Sequence, residues 1–137
     1  MAGFITALRT RLQADPELFE VLGGRFFPVT VTQGTPQPYA RYNIVSDTRP
    51  EDLDGYVTAR STRLQVDVFA PRYEQAHAIA ERIIAVLDAP AVIDGVKFGR
   101  TKADGPRDLS DERIGANTDG QNFTYRASMD LLVRHQS

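Results

Sequence analysis

The sequence predicts an α+β fold: a mostly antiparallel sheet with one long helix packed on one face, plus N-terminal helices and a β-hairpin. Three observations predict it. Leu64, Val66 and Val68 alternate with polar residues, which is the period of a half-buried strand. Over residues 76–87, apolar residues recur at three- and four-residue spacing, which is typical of an amphipathic helix. Residues 123–133 alternate again, which predicts a long strand with one wet face.

The N-terminal part is predicted to form two helices and a short extended segment. Apolar residues at helical spacing predict the first helix over residues 2–13. Asp15 and Pro16 predict the start of a second helix, because aspartate caps a helix and proline suits its first position. Gly23 predicts its end through a left-handed cap. Residues 26–31 contain a proline, so they are expected to form an edge strand or a bulge.

The middle of the chain is predicted to alternate strands and turns around the long helix. Strands are expected over residues 39–46 and 62–70, and the helix over residues 72–88. Asp94 and Gly95 then form the dipeptide that is typical of a tight hairpin turn between two short strands.

Two polar stretches are predicted to be loops. Residues 47–60 contain proline, glycine and several carboxylates, which are poor material for a sheet. Residues 100–120 contain three glycines, a proline and a run of charged side chains. A loop of this length inside a compact domain usually has a function or remains disordered.

The composition indicates one globular domain over residues 1–137. The chain is 42% hydrophobic and 25% charged, has no cysteine, and carries a formal net charge of −2. It therefore has no disulfide or thiolate site, and it lacks the basic excess of a dedicated nucleic-acid binder. Arg9 and Arg11 interrupt the only apolar stretch near the start, so we expect no signal peptide, no membrane contact and a cytoplasmic location.

The sequence offers no candidate for a catalytic or metal site. His77 and His135 are the only histidines and lack the spacing of a ligand pair. His77 is expected on the long helix and His135 in the C-terminal tail. No nucleophile elbow, phosphate loop or dinucleotide fingerprint is present. We therefore expect no enzyme activity, no cofactor and no metal.

Charged residues on the predicted strands have a structural interpretation. Arg63 and Arg126 are expected on one polar sheet face with Asp67 and Asp130. Cross-strand ion pairs explain this pattern better than an anion site does.

The order of short motifs along the chain is more specific than any one of them. It comprises a D-P-x-L helix opening, G-G-R before aromatic residues, P-Y opening a strand, R-L-Q-V-D-V-F-A, and Y-x-x-A-x-x-I-A-x-x-I. In this order the chain resembles the tail completion, or tail terminator, family of long-tailed bacteriophages and phage-like particles. The matching residues are Asp15, Pro16, Leu18, Gly24, Arg25, Pro38, Tyr39, Gln65, Val66, Asp67, Val68, Tyr73, Ala76, Ala80 and Leu87.

The resemblance implies a structural virion protein whose subunits assemble into a hexameric ring. Such a ring caps the tail tube, ends its polymerisation and joins it to the head-side connector protein, while DNA passes through the lumen. A heterologous ring needs two different complementary patches on each subunit. We expect residues 47–60 and 100–120 to form these two patches. The candidate residues for a subunit or tube interface are Pro50, Glu51, Asp52, Asp54, Tyr56, Asp108, Asp111, Glu112 and Arg113.

Contact with DNA is expected to be weak, because DNA must slide through the lumen and the subunit is slightly acidic. Basic residues that face the lumen should then be scattered. The first candidates are Arg100, Lys102 and Arg107, which lie in the second polar stretch.

Two alternative functions stay open at this point. One is a different head–tail joining or minor tail protein with a related fold. The other is a small ligand-binding or enzymatic α+β domain, which would need a deep apolar pocket with convergent polar groups.

Overall fold

The computed structural model of the protein describes residues 3–32, 34–49, 51–52, 55–56, 59–109 and 124–136; for 51–52, 55–56 and 109 it describes the backbone only. The helices in these ranges are α1 (Phe4–Gln13), α2 (Pro16–Leu22) and α3 (Tyr73–Asp88). The strands are β1 (Phe26–Pro28), β2 (Tyr39–Thr48), β3 (Glu51–Asp52), β4 (Gly55–Tyr56), β5 (Ala59–Ala70), β6 (Ala91–Ile93), β7 (Val96–Phe98), β8 (Lys102–Leu109) and β9 (Tyr125–Gln136).

One mixed sheet dominates the fold. Its strands lie in the order β1-β2-β5-β9-β7-β6, and β8 pairs with β9 as well. The β1–β2 pair is parallel, and the other pairs in this sheet are antiparallel. β3 and β4 form a separate two-stranded antiparallel sheet. The two longest strands, β5 and β9, pair over their whole length and form the centre of the main sheet.

Both predicted loops contain strands. In the first stretch, β2 continues to Thr48, β3 and β4 pair with each other, and β5 begins at Ala59. In the second stretch, residues 102–109 form β8 along β9. The sequence pattern did not predict β8, because this edge strand is charged, shows little apolar alternation and is interrupted at a bulge. The predicted loop over 100–120 is therefore wrong for residues 102–109, and residues 110–120 lie outside the described residues.

Gly105 occupies the interruption in β8. The register with β9 shifts between Asp104 and Arg107. Gly105 has φ +115°, and a Cβ placed there would lie 3.0 Å from the carbonyl oxygen of Ser128. Only glycine fits this close approach without displacing the backbone of β9.

The N-terminal motifs are explained by caps and backbone contacts. Asp15 accepts a hydrogen bond from the Leu18 N–H at the start of α2 and pairs with Arg82 of α3 at 2.6 Å. Gly23 ends α2 in the left-handed conformation that the sequence predicts. Arg25 donates to the carbonyl of Pro38 at 2.9 Å, which holds the end of α2 beside the start of β2.

Arg11 has a structural role that the sequence did not indicate. Its side chain is buried and donates to the carbonyl oxygens of Val86 at 2.8 Å and Ala89 at 2.5 Å. These are free carbonyls at the end of α3, where a cation is also favoured by the helix dipole. Arg11 therefore fastens α1 to the C-terminus of α3.

Residues of the helices and of the central strands contribute to the buried core. α3 contacts β5, β8 and β9. Its buried side chains share one hydrophobic cluster with buried side chains of β5 and β9. These residues are Ala76, Ile79, Ala80, Ile83 and Leu87 on α3, Leu64, Val66, Val68 and Ala70 on β5, and Ala127, Met129, Leu131 and Val133 on β9.

Candidate interaction surfaces

The first candidate surface is the excursion between β2 and β5. In it, Glu51 pairs with Tyr56 and Asp52 pairs with Gly55 in the small β3–β4 sheet. Pro50 and Asp54 lie outside the described residues. Glu51, Asp52 and Tyr56 therefore lie between β2 and β5, in a β-ribbon and not in the loop that the sequence predicted.

A charged pair closes the base of this excursion. Asp47, near the end of β2, accepts hydrogen bonds from Arg60, near the start of β5, and from Thr62 at 3.2 Å. Thr62 in turn contacts the His135 Nε2 at 2.8 Å. These contacts link the two strands that flank the β3–β4 ribbon in sequence.

His135 is part of the packed interior at that end of the sheet. It is 4% exposed, and its ring stacks on Phe4 at 3.8 Å between centroids. Burial lowers the pKa of His135, and the nearby Arg60 lowers it further. The ring is therefore held neutral near pH 7, and His135 supports the fold, although its position in the sequence suggested only a tail residue.

The second candidate surface surrounds Asp108, which lies on β8. Its carboxylate contacts the His77 Nε2 at 2.5 Å and accepts a hydrogen bond from the Tyr73 hydroxyl at 3.2 Å. That hydrogen bond raises the pKa of Tyr73. No local pattern indicates a partner for His77, because Asp108 is 31 residues away in sequence. Asp111, Glu112 and Arg113 lie outside the described residues.

The three candidate lumen residues do not form one group. Arg100 pairs with Asp88 at the end of α3, at 3.2 Å. Lys102 and Arg107 both lie on β8, and Arg107 pairs with Asp130 of β9 at 3.6 Å. The expectation that they share a polar loop is therefore wrong for Lys102 and Arg107.

The polar face of the sheet is the face that carries Arg63, Gln65, Asp67 and Phe69 of β5. Residues directly opposite each other on antiparallel strands share a face, so Arg41 of β2 and Ser128 of β9 flank Asp67 there. The hydrophobic cluster lies on the other face, with Leu64, Val66 and Val68.

Asp67 is the centre of this face. It is fully buried and binds Arg126 at 3.0 Å and Arg41 at 3.3 Å. Burial alone would raise the pKa of Asp67, but hydrogen bonds from Ser128, Arg126 and Arg41 outweigh it and hold the pKa below its usual value. The sequence predicted a pair between Arg126 and an aspartate of this face, but it did not identify Arg41.

Phe69 lies beneath the same two guanidinium groups. Arg41 and Arg126 lie 5.2 Å and 5.6 Å from its ring centroid, and Tyr39 stacks on it at 5.0 Å. Each arginine is therefore held by a carboxylate and by an aromatic ring. The charges of this cluster therefore link β2, β5 and β9.

The described residues hold no group of three His, Cys, Asp or Glu side chains that could bind a metal ion. No helix among them is both long and apolar enough to cross a membrane.

Comparisons with known proteins give a family and a fold. The model of the family Tail completion protein gp17 matches residues 6–134. A comparison with curated protein sequences finds no match. The fold is similar to that of a chain in the virion of a native gene transfer agent particle, with a TM-score of 0.68 and 15% identity, over 97% of this chain and 92% of that chain.

A second solved chain has a TM-score of 0.45 and 17% identity, over 95% of this chain and 89% of that chain, which is too distant to support any conclusion. The family match, in contrast, covers nearly the whole sequence and includes β5, α3 and most of β9. The chain therefore belongs to the tail completion protein gp17 family and is a structural protein of a phage or phage-like tail.

Proposed function

We propose that this protein is a ring-forming tail terminator. Six copies would cap the finished tail tube, end its polymerisation and join it to the head-side connector protein, with DNA passing through the lumen. The observation that carries the proposal is the family match over residues 6–134. Assembly would take place in the host cytoplasm before the particle is complete.

The β3–β4 ribbon supports a role in subunit contact. It lies in the chain segment between β2 and β5, whose ends are linked by the pair of Asp47 and Arg60. On β2, the strand that precedes the ribbon, Ile44 and Val45 are each more than half exposed. Exposed apolar side chains next to polar ones are typical of a protein interface. We propose that this patch also includes the candidate interface residues Pro50, Glu51, Asp52, Asp54 and Tyr56.

The Asp108 surface supplies the second, different patch that a heterologous ring requires. There, Tyr73 and Tyr125 are partly exposed and stand edge to face, with ring centroids 6.0 Å apart. Aromatic side chains with a polar rim are frequent at the centre of interfaces. The candidate residues from Asp111 to Arg113 follow β8 in sequence, and we propose that they take part in the same contact.

The edges of the sheet favour closure over open-ended strand addition. β1 contains Pro28, which has no N–H to donate, and β6 has only three residues. β8 carries charged side chains and the bulge at Gly105. Each feature opposes pairing with a strand of another subunit. We therefore propose that subunits associate through side-chain patches.

We also propose that residues 1–137 form a single domain with α3 packed on one face of the sheet. In this arrangement the protein acts without cofactor or metal, and it is not an enzyme. The ion pairs of the polar face are consistent with this, because they hold neighbouring strands of the sheet together.

The molar mass in solution, measured with and without tail tube protein, distinguishes a tail terminator from another tail protein. We expect the isolated chain to show the mass of one subunit or of a ring, and to shift to a larger complex when tail tube protein is added. Light scattering after gel filtration measures both states. A mass that stays unchanged with tube protein, but increases with connector protein alone, would support the alternative of a different head–tail joining protein.

A further inference from the structure

Four cationic side chains gather at one end of the polar face. We call Arg63, Lys97, Lys102 and Arg134 the basic quartet. Arg63 and Lys102 both lie opposite Leu132 of β9, on its two sides. Two residues further along β9, Arg134 lies on the same face as Leu132. Gln136 is the next residue of β9 on that face, and Lys97 lies opposite it. The register of four strands therefore brings together charges that are far apart in sequence.

The basic quartet is exposed and has no ion-pair partner among the side chains that the structure describes. The other arginines of this face differ, because Arg41 and Arg126 bind Asp67 and Arg107 binds Asp130. Asp104 is the nearest exposed carboxylate on β8, one row further along the strands. The positive charge at this end is therefore available to an external anion.

A shallow pocket of about 340 Å³ is lined by two of the four members of the quartet. Lys97 and Arg134 contribute to its walls, and Ser61 and Gly99 also line it. The hydroxyl of Ser61 adds a hydrogen-bond donor beside the two cations. The strands hold these groups in place, so binding an anion would cost little ordering of the backbone.

The helices, in contrast, carry charges of both signs. Exposed carboxylates lie on α3 at Glu74, Glu81 and Asp88, and on α2 at Glu17 and Glu20. Arg82 pairs with Glu17 and Arg100 pairs with Asp88, so part of this negative charge is compensated. A polyanion would therefore be attracted to the basic quartet more than to the helices.

We propose that the basic quartet binds the phosphate backbone of nucleic acid. The inference deepens the proposed function, on which it rests for the presence of DNA at the ring. Arginine forks and lysine ammonium groups match phosphate oxygens, and contacts of this type carry no base sequence. In this proposal the contact with DNA is concentrated at one end of the sheet and includes Lys102.

The surroundings of the quartet favour nucleic acid over an acidic protein. Leu132 is half-buried, and the exposed apolar side chain beside Lys97 is Val92. The aromatic residues of the polar face, Tyr39 and Phe69, lie at its other end. Protein interfaces usually have an aromatic or apolar centre, whereas backbone binding of nucleic acid is mainly electrostatic.

The test is a titration of labelled duplex DNA with the whole chain, repeated over a salt series. At about 50 mM salt we expect binding that weakens steeply with salt, and near physiological salt a Kd of about 10⁻⁴–10⁻⁶ M. Replacing Arg63, Lys97, Lys102 and Arg134 together by glutamine should abolish most of this binding. Each single replacement should make the salt dependence shallower, by about 0.9 in slope for every phosphate that the variant no longer neutralises.

Arg72→Gln is the matched control. Arg72 is an exposed cation before α3, without an ion pair among the described residues, and lies outside the quartet. DNA binding equal to that of the unchanged protein is expected for this variant. Thermal unfolding checks that the fourfold variant is folded. The inference is overturned if this folded variant binds DNA as well as the control does. It is also overturned if polyglutamate binds the quartet and duplex DNA does not.

Failure of this inference can be told apart from failure of the proposed function. If the unchanged protein caps tail tubes but does not bind duplex DNA at low salt, the quartet is not a phosphate site and the terminator function stands. If it binds DNA through the quartet but does not cap tubes, the inference stands and the terminator function fails.

Discussion

Replacing Asp67 with asparagine is expected to lower the free energy of unfolding by about 3 kcal/mol, the lower end of the range for breaking a buried ion pair. The carboxylate is fully buried and serves both Arg41 and Arg126. Its replacement removes a buried carboxylate that two guanidinium groups bind. Both can still reach some water, which keeps the loss from being larger. Chemical denaturation of the two proteins measures the difference.

Asp130→Asn is the matched control, because Asp130 lies on the same face and pairs with Arg107 at 3.6 Å, but remains partly exposed. Its loss should cost at most about 1 kcal/mol. Equal losses at the two positions would show that the buried cluster has no special role.

The contribution of Asp67 should also depend on pH. Since its folded pKa lies below the usual value, its stabilisation is present above the unfolded pKa of about 3.9 and is lost as the pH falls through the folded pKa. The difference in unfolding free energy between the unchanged protein and Asp67→Asn should therefore shrink below about pH 4. A difference that stays constant down to about pH 2 would contradict the assignment, because protonation removes this stabilisation below both pKa values.

Truncating Ile83 to alanine is expected to cost about 2–5 kcal/mol, the usual cost of a large-to-small change in a core. Ile83 is fully buried on α3, in the cluster that α3 shares with the central strands. Val92→Ala is the control, because Val92 is 64% exposed and should change stability by less than about 0.5 kcal/mol. A loss of that small size at Ile83 would mean that its side chain is exposed to solvent.

A double-mutant cycle then tests whether α3 packs on the face of Val66 and Met129. We expect Ile83→Ala to couple to Val66→Ala or Met129→Ala by more than about 0.5 kcal/mol, since contacting residues are not additive. Additive losses for both pairs would contradict the proposed packing.

The sequence predicted those elements that depend on residues close to one another along the chain. The cap at Asp15 and the left-handed end at Gly23 depend on neighbours within one helical turn. The hairpin between β6 and β7 depends on the turn at Asp94 and Gly95. These features were confirmed within one or two residues of the predicted bounds.

Features that depend on distant partners were not predictable from the sequence. β8 exists because β9 provides hydrogen bonds to it, and its own residues are charged and interrupted at Gly105. Arg11 looked like an interruption in an apolar stretch, but its partners are the carbonyls at the end of α3. In both cases tertiary contacts override the local pattern.

The candidate surfaces show the same division. Alternation of residues along β5 and β9 was enough to place Asp67 and Arg126 on one face and to predict ion pairing there. It did not identify Arg41, which required the register of β2. The basic quartet needs the register of four strands, so no pattern in the sequence could reveal it.

Electron microscopy of the purified protein mixed with tail tubes tests the central claim most directly. The proposed function predicts six-fold rings seated on one end of each tube, and tubes that no longer lengthen when more tube protein is added. Tubes that continue to grow at both ends, with the protein absent from their tips, would contradict the terminator function.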